Sequence, residues 1–99
     1  MNKWKKFDGN PLISSEKFGI IFDPFVMECP DLGKRYRMYL SWRPQNAIAL
    51  TESDDGIHWN DLQIILGASP AKDIRDYNIN RACVLRLPDG KYRMYYSGQ

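Results

Sequence analysis

The most constraining feature of this chain is that it says nearly the same thing twice. Tyr36-Arg37-Met38-Tyr39-Leu40-Ser41 recurs as Tyr92-Arg93-Met94-Tyr95-Tyr96-Ser97. Upstream, the run from Val26 through Cys29-Pro30-Asp31-Leu32-Gly33-Lys34 parallels the run from Val84 through Leu87-Pro88-Asp89-Gly90-Lys91. Each copy reads as an apolar strand, a Pro-Asp-Gly type of turn and a second, aromatic-rich strand. Self-similarity on this scale is the mark of a repeat architecture, in which no unit buries its apolar face alone. The second copy reaches Gln99 directly after its second strand, so the sequence reads as an array cut short.

The remainder of the chain continues in the same idiom. Residues 20–29 are dense in Ile, Phe and Val and fit a strand covered on both faces. Pro24 within them cannot donate to a ladder, so it marks the strand's start or an irregular point in it. From Arg35 to Arg43 the residues alternate, with Tyr36, Met38, Leu40 and Trp42 on one face and Arg37, Tyr39 and Ser41 on the other. Asn46 to Thr51 is a third strand, Ser53-Asp54-Asp55-Gly56 a turn, and Leu62 to Leu66 a fourth strand. A polar connector from Gly67 to Tyr77 then leads to strands at Arg81–Leu87 and Lys91–Ser97. Residues 1–18 form an irregular lead-in with a short strand near Leu12. No segment has the length and apolar spacing of an amphipathic helix.

Composition excludes several classes. A hydrophobic share of 43% and a charged share of 26% are those of an ordinary globular protein. A net charge of +2 with scattered basic residues argues against nucleic acid and against an anionic membrane as partners. No apolar run reaches transmembrane length, and the residues after Lys6 do not form the apolar stretch of a signal peptide, so a cytoplasmic location is expected. Cys29 and Cys83 have neither metal-site spacing nor a disulfide framework; both lie in apolar runs and are expected to be buried thiols. The only histidine, His58, has no ligand-like spacing to a second one and is expected as an exposed turn residue.

Four short strands joined by tight turns describe one up-and-down antiparallel sheet, and such sheets repeated about a centre are propeller blades. The expected fold is therefore all-β, an antiparallel β-propeller fragment. Residues 1–18 would be its lead-in, 19–66 one complete four-stranded blade, and 67–99 a connector and half of a second blade.

The ordered set Gly9-Asn10-Pro11, Phe22-Asp23-Pro24-Phe25-Val26, Tyr36-Arg37-Met38-Tyr39, Ser41-Trp42-Arg43, Ile48-Ala49-Leu50, Ser53-Asp54-Asp55-Gly56-Ile57-His58-Trp59, Asn80-Arg81 and Tyr92 to Gln99 resembles the N-terminal part of five-bladed propeller glycosidases. The broad group is that of glycoside hydrolase families 43 and 32. The resemblance spans nearly the whole chain, and its specificity lies in the combination of motifs. It implies a carbohydrate partner, either an oligosaccharide or a glycoside; no cofactor is expected, and no residues are assigned as metal ligands. It also implies that Asp23, in the Asp-Pro motif of the first blade, is a catalytic carboxylate. In family 43 the matching residue is the base that activates water; in family 32 it is the nucleophile. The segment Ser53–Trp59 resembles the Asp-box turn of propellers, with a structural role in which Trp59 packs inward.

An acidic residue within an apolar strand is costly unless paired or functional, although Asp23 could also merely cap a turn. The internal duplication adds an inference of its own. Val26 aligns with Val84, which sets Asp23 opposite Arg81, each three residues ahead of its valine. Arg81 could serve as the counter-ion of Asp23, bind a substrate hydroxyl with Asn80, or form a purely structural pair. Family 43 has an Asp at the corresponding second-blade position, so Arg81 is a departure, and Asp76 in the connector is a neighbouring acid without an anchor to that role. Trp42 and Arg43 follow the second strand and could reach a funnel rim, the indole stacking on sugar and Arg43 binding hydroxyls; edge packing explains Trp42 equally well.

Hydrolysis needs two carboxylates, and the general acid of the resembled families is a Glu on a third blade. The chain is thus expected to be a hydrolase-like fragment inactive by itself, or else a non-catalytic carbohydrate-binding or structural relative. Unfinished blades expose strand edges, which makes self-association a further expectation.

Overall fold

The register of two hairpins organises the molecule. In the computed structural model, which describes residues 3–33, 35–67 and 79–98, six strands run in chain order: β1 (Ile21–Glu28), β2 (Tyr36–Trp42), β3 (Ala47–Ser53), β4 (Gln63–Leu66), β5 (Ile79–Arg86) and β6 (Tyr92–Gly98). Strands β1 to β4 pair antiparallel in sequence order, and β5 pairs antiparallel with β6 in a second, two-stranded sheet. The protein is thus mostly antiparallel β. One helical turn, α1 (Ser15–Phe18), precedes β1. No helix among the described residues is long and apolar enough to cross a membrane.

The duplicated segments form the same hairpin. Val26 pairs with Met38, Met27 with Arg37 and Glu28 with Tyr36; in the second hairpin Val84 pairs with Met94, Leu85 with Arg93 and Arg86 with Tyr92. Both turns close by an equivalent backbone bond, Cys29 N–H to Arg35 O and Leu87 N–H to Lys91 O, each 2.7 Å. Gly33 and Gly90 hold the left-handed positions in them, at φ 84° and 85°, where a side chain would be strained. The first turn is longer, and a single 3-10 turn at Pro30–Leu32 takes up the difference.

Strand order and pleat separate two faces of the large sheet. One carries Phe25, Met27, Tyr39, Ile48 and Leu50; the β5–β6 hairpin lays Ile79, Ala82 and Val84 upon it, with Tyr92 and Met94 at the margin. Ile48 is completely buried there and Tyr39 nearly so. The other face carries Ile21, Val26, Met38 and Leu40 and is covered only in part, by the lead-in around Leu12 and Ile13.

Three expectations from sequence are corrected here. β1 is not covered on both faces, because Val26 lies on the open side and is 50% exposed. Leu12 lies in a bend rather than a strand. Cys83, unlike buried Cys29, is exposed, since it points away from the face by which β5 docks.

The turn from β3 to β4 is built from side chains. Ser53 Oγ accepts hydrogen bonds from the amides of Asp55 (3.2 Å) and Gly56 (2.9 Å), and Asp55 Oδ1 accepts from those of Ile57 and His58, both 2.8 Å. Asp55 Oδ2 also meets His58 Nδ1 at 2.7 Å. Trp59 folds back to donate its indole N–H to Gly56 O at 3.1 Å and is half-buried. The contact with the His58 ring, followed by the His58 and Ile57 amides, holds the Asp55 carboxyl well below the usual carboxylate range. Exposed His58 therefore has a local structural partner.

Two outcomes are expected. Ile48→Ala removes a completely buried side chain and should cost about 2–5 kcal/mol in urea unfolding; a smaller loss would mean that the β5–β6 hairpin does not seal the core. A group with a depressed folded-state pKa stabilises above its unfolded value and loses that contribution as the pH falls. Asp55→Ala should accordingly lower the urea midpoint at neutral pH, with the gap to wild type narrowing as the pH drops below the ordinary value of 3.8. A gap constant down to strongly acidic pH would refute the ionic origin of the turn's stability.

Candidate functional site

Asp23 and Arg81 occupy matching irregularities in their strands. Phe22 pairs with Ser41 and Phe25 with Tyr39, so Asp23 and Pro24 together oppose Leu40 alone. In the second hairpin Asn80 pairs with Ser97 and Cys83 with Tyr95, so Arg81 and Ala82 oppose Tyr96. Each is a β-bulge, a device that re-aims a side chain out of the regular alternation. Pro24, which has no N–H to contribute, fits the unpaired position.

The first bulge residue has a left-handed backbone in both strands, φ 51° at Asp23 and 60° at Arg81. Glycine is the usual occupant of such a position, Asp tolerates it, and a bulky Arg is strained in it. The re-aimed side chains meet: Arg81 Nε donates to Asp23 Oδ2 at 3.2 Å. The pair expected from aligning the two copies is therefore present. It is also accessible, with the Asp23 side chain 43% and that of Arg81 63% exposed, so as an ion pair it contributes only about 0.2–1 kcal/mol. The Arg81 backbone is held separately, its N–H donating to the Oγ of fully buried Ser41 at 2.8 Å.

Beside this pair lies a small cavity of about 40 Å³, between the end of β2 and the start of β5. Trp42, Arg43 and Asn80 line it with Phe22, Ser41 and Asn46. Three of the five residues singled out from sequence thus share one cavity, and the other two are the chain neighbours of Phe22 and Asn80. Asn80 Oδ1 is buried and, among the described residues, has no hydrogen-bond partner. A buried acceptor left in that state costs about 1–3 kcal/mol, and the cavity has room for a water or a ligand hydroxyl to satisfy it.

The other two cavity residues are partly committed. The Trp42 indole donates its N–H to Phe18 O at 2.7 Å and meets the Phe18 ring edge-on, at 6.4 Å between centroids. This is packing of the lead-in against β2. The Arg43 N–H donates to Ile20 O at 3.0 Å, while its exposed guanidinium lies 5.3 Å from the centre of the Phe22 ring. Asn46 takes a left-handed backbone, φ 48°, to return the chain from the Arg43–Gln45 turn into β3. Asp76 lies outside the described residues. Among the described residues, no three His, Cys, Asp or Glu side chains gather as a metal site would require.

Ser41, Phe22 and Asn46 were not legible as site residues. For Ser41 a signal existed, because it recurs as Ser97 in the duplicated segment. Its value as an acceptor for another strand's backbone became visible only once β5 was seated beside it.

The strain at Arg81 can be isolated. Arg81→Gly and Arg81→Ala both remove the ion pair, but only glycine relaxes at φ 60°. The glycine variant should be the more stable by about 1 kcal/mol in urea unfolding, reversing the usual order for a strand; equal or lower stability would mean the backbone is unstrained. No protein-family model, curated protein or solved structure matches this chain.

Proposed function

We propose that this chain is the first blade and the leading hairpin of the second in a propeller of the glycosidase-like group, with a carbohydrate as its ligand. The observation that carries the reading is the cleft where Asp23 and Arg81 emerge from matched bulges beside the unpartnered Asn80 Oδ1. Backbone strain paired with a weak, accessible ion pair contributes little to stability, and such combinations gather at ligand sites.

In this reading Asp23 is the carboxylate that activates water or attacks the sugar, and Arg81 is its counter-ion. Asn80 Oδ1 accepts a hydrogen bond from a sugar hydroxyl, and the Arg43 guanidinium donates to another. Trp42 borders the ligand through whatever face its contact with Phe18 leaves open. Asp23 supplies one of the two carboxylates that hydrolysis requires, roughly 5–10 Å apart according to stereochemical course. The chain alone is accordingly a binding unit without turnover.

The alternative is a carbohydrate-binding or structural relative that never carried out catalysis. It is favoured by the existing engagement of Asp23 with Arg81 and of the Trp42 N–H with Phe18.

Titrating the isotopically labelled chain with simple methyl glycosides and their iminosugar counterparts tests both readings by NMR. Binding should shift the amides of Asn80, Arg81 and Arg43, and Asn80→Ala should weaken it by about tenfold, the loss of one hydrogen bond. No response to any sugar would sink the carbohydrate reading. A cationic iminosugar resembles the charge of a glycosidase transition state. Preference for it that disappears in Asp23→Asn supports the catalytic role; no preference supports the alternative.

A further inference from the structure

The contact between the β5–β6 hairpin and the large sheet joins two different faces, and the duplicated hairpins give the chain a second copy of part of each. The hairpin docks through Ile79, Ala82, Val84 and Met94. By the shared register, the matching residues of the first hairpin are Ile21, Pro24, Val26 and Met38. Those residues, with Leu40, line an open apolar groove of about 350 Å³. The receiving surface on the large sheet includes Phe25, Met27 and Tyr39. Their counterparts in the second hairpin are Cys83, Leu85 and Tyr95, all on the outward face, with Leu85 50% and Tyr95 53% exposed. Among the described residues, each molecule therefore presents a docking face that Leu12 and Ile13 cover only in part and, on the opposite side, an exposed receiving face.

We propose that these two faces bind each other between molecules, so that the partner of this surface is a second copy of the chain. The Ile21–Val26–Met38 groove of one copy seats on the Leu85–Tyr95 face of the next and repeats the part of the internal packing that β1 and β2 provide. Ile48 and Leu50 of β3 have no counterpart in the described residues of the second hairpin. The contact is heterologous, so it propagates head to tail and ends only if it closes into a ring. It uses sheet faces rather than the strand edges expected from sequence.

Charge agrees at the bulges. The docking hairpin brings its bulge residue, Arg81, to Asp23 of the receiving sheet. Between copies the docking sheet would bring Asp23 towards Arg81 of the receiving hairpin, the same pair of opposite charges. The far end differs. Within the chain, Arg86 of the docking hairpin meets Asp31 in the receiving turn at 3.1 Å, and Tyr92 Oη lies 3.3 Å from the same carboxylate. The matching residues between copies are Glu28, Tyr36 and Asp89, so an Arg–Asp attraction is replaced by two acids. That substitution weakens the contact between copies relative to the contact within one.

Mass in solution, by light scattering and sedimentation over a range of concentrations, tests the proposal. The wild type should rise above 11.6 kDa with concentration. Val26→Asp spoils the docking groove and Leu85→Asp the receiving face; each alone should return the mass to that of one chain. Mixed together, they retain one good face each and should form a one-to-one dimer that grows no further. Because both residues are half exposed, the core is expected to persist, and the near-ultraviolet signal of each variant is compared with wild type; Val26→Lys with Leu85→Lys repeats the mixing test. Glu28→Arg should tighten association a few-fold by restoring the Arg–Asp pair. A wild type of single-chain mass at every concentration overturns the proposal. So does association that survives both substitutions, which would indicate edge pairing, and so does a mixture of folded variants that stays monomeric. None of these readouts depends on carbohydrate binding.

Discussion

The burial of Tyr39 and Ile48 beneath β5 is the interaction on which the rest depends. A two-stranded hairpin is at best marginally stable in water, so β5 and β6 hold their shape only because Ile79, Ala82 and Val84 have a surface to cover. The large sheet gains in return, since the face carrying Phe25, Met27 and Leu50 would otherwise be open to solvent. Besides the exposed pairs Arg81–Asp23 and Arg86–Asp31, a polar bond to a buried group ties the two sheets: Ser41 Oγ receives the Arg81 N–H, a group that the bulge has removed from the β5–β6 ladder. Removing that acceptor would leave a backbone donor unpaired at the margin of the core. Packing and the bulge are consequently one arrangement, and the position of the Arg81 side chain follows from it.

Much of this was legible from the duplicated segment. Aligning Val26 with Val84 fixed the equivalence of Asp23 and Arg81, and the two hairpins have matched registers around these residues. Strand positions and turn chemistry were also legible, because glycine, proline and aspartate have local reasons for their places. What period-two alternation cannot reveal is which face meets a neighbour. It separates Tyr36, Met38 and Leu40 from Arg37, Tyr39 and Ser41 without saying which set a second sheet covers. In the fold the set with the arginine and serine receives β5, while on the other face Leu40 is buried and borders, with Met38, the groove that Leu12 and Ile13 also line. Cys83 was misplaced for the same reason: it belongs to the outward face of a hairpin that docks by the other one.

The cleft was legible in its members and not in its state. Asp23, Asn80 and Arg81 were identified by position, and Trp42 and Arg43 by residue type. That the Trp42 N–H is already held by Phe18, and that Asn80 Oδ1 is left without a partner, are outcomes of packing between segments distant in sequence. An apolar lead-in residue such as Phe18 carries no local signal that its carbonyl will cap an indole.

The energies at position 81 and at Asn80 bear on the proposed ligand site. An Arg held at φ 60° costs on the order of 1 kcal/mol or more, and an exposed Asp–Arg pair returns no more than about that. Glycine at position 81 would avoid the cost while keeping the Ser41 bond, which uses only the backbone. The Asn80 carboxamide adds a second unfavourable term, because valine or alanine would fill a strand position without leaving an acceptor unpaired. Stability alone therefore accounts for neither side chain. What each supplies is hydrogen-bonding capacity, a guanidinium held on Asp23 and a buried acceptor that lines the cavity next to it, and the proposed carbohydrate reading rests on that combination.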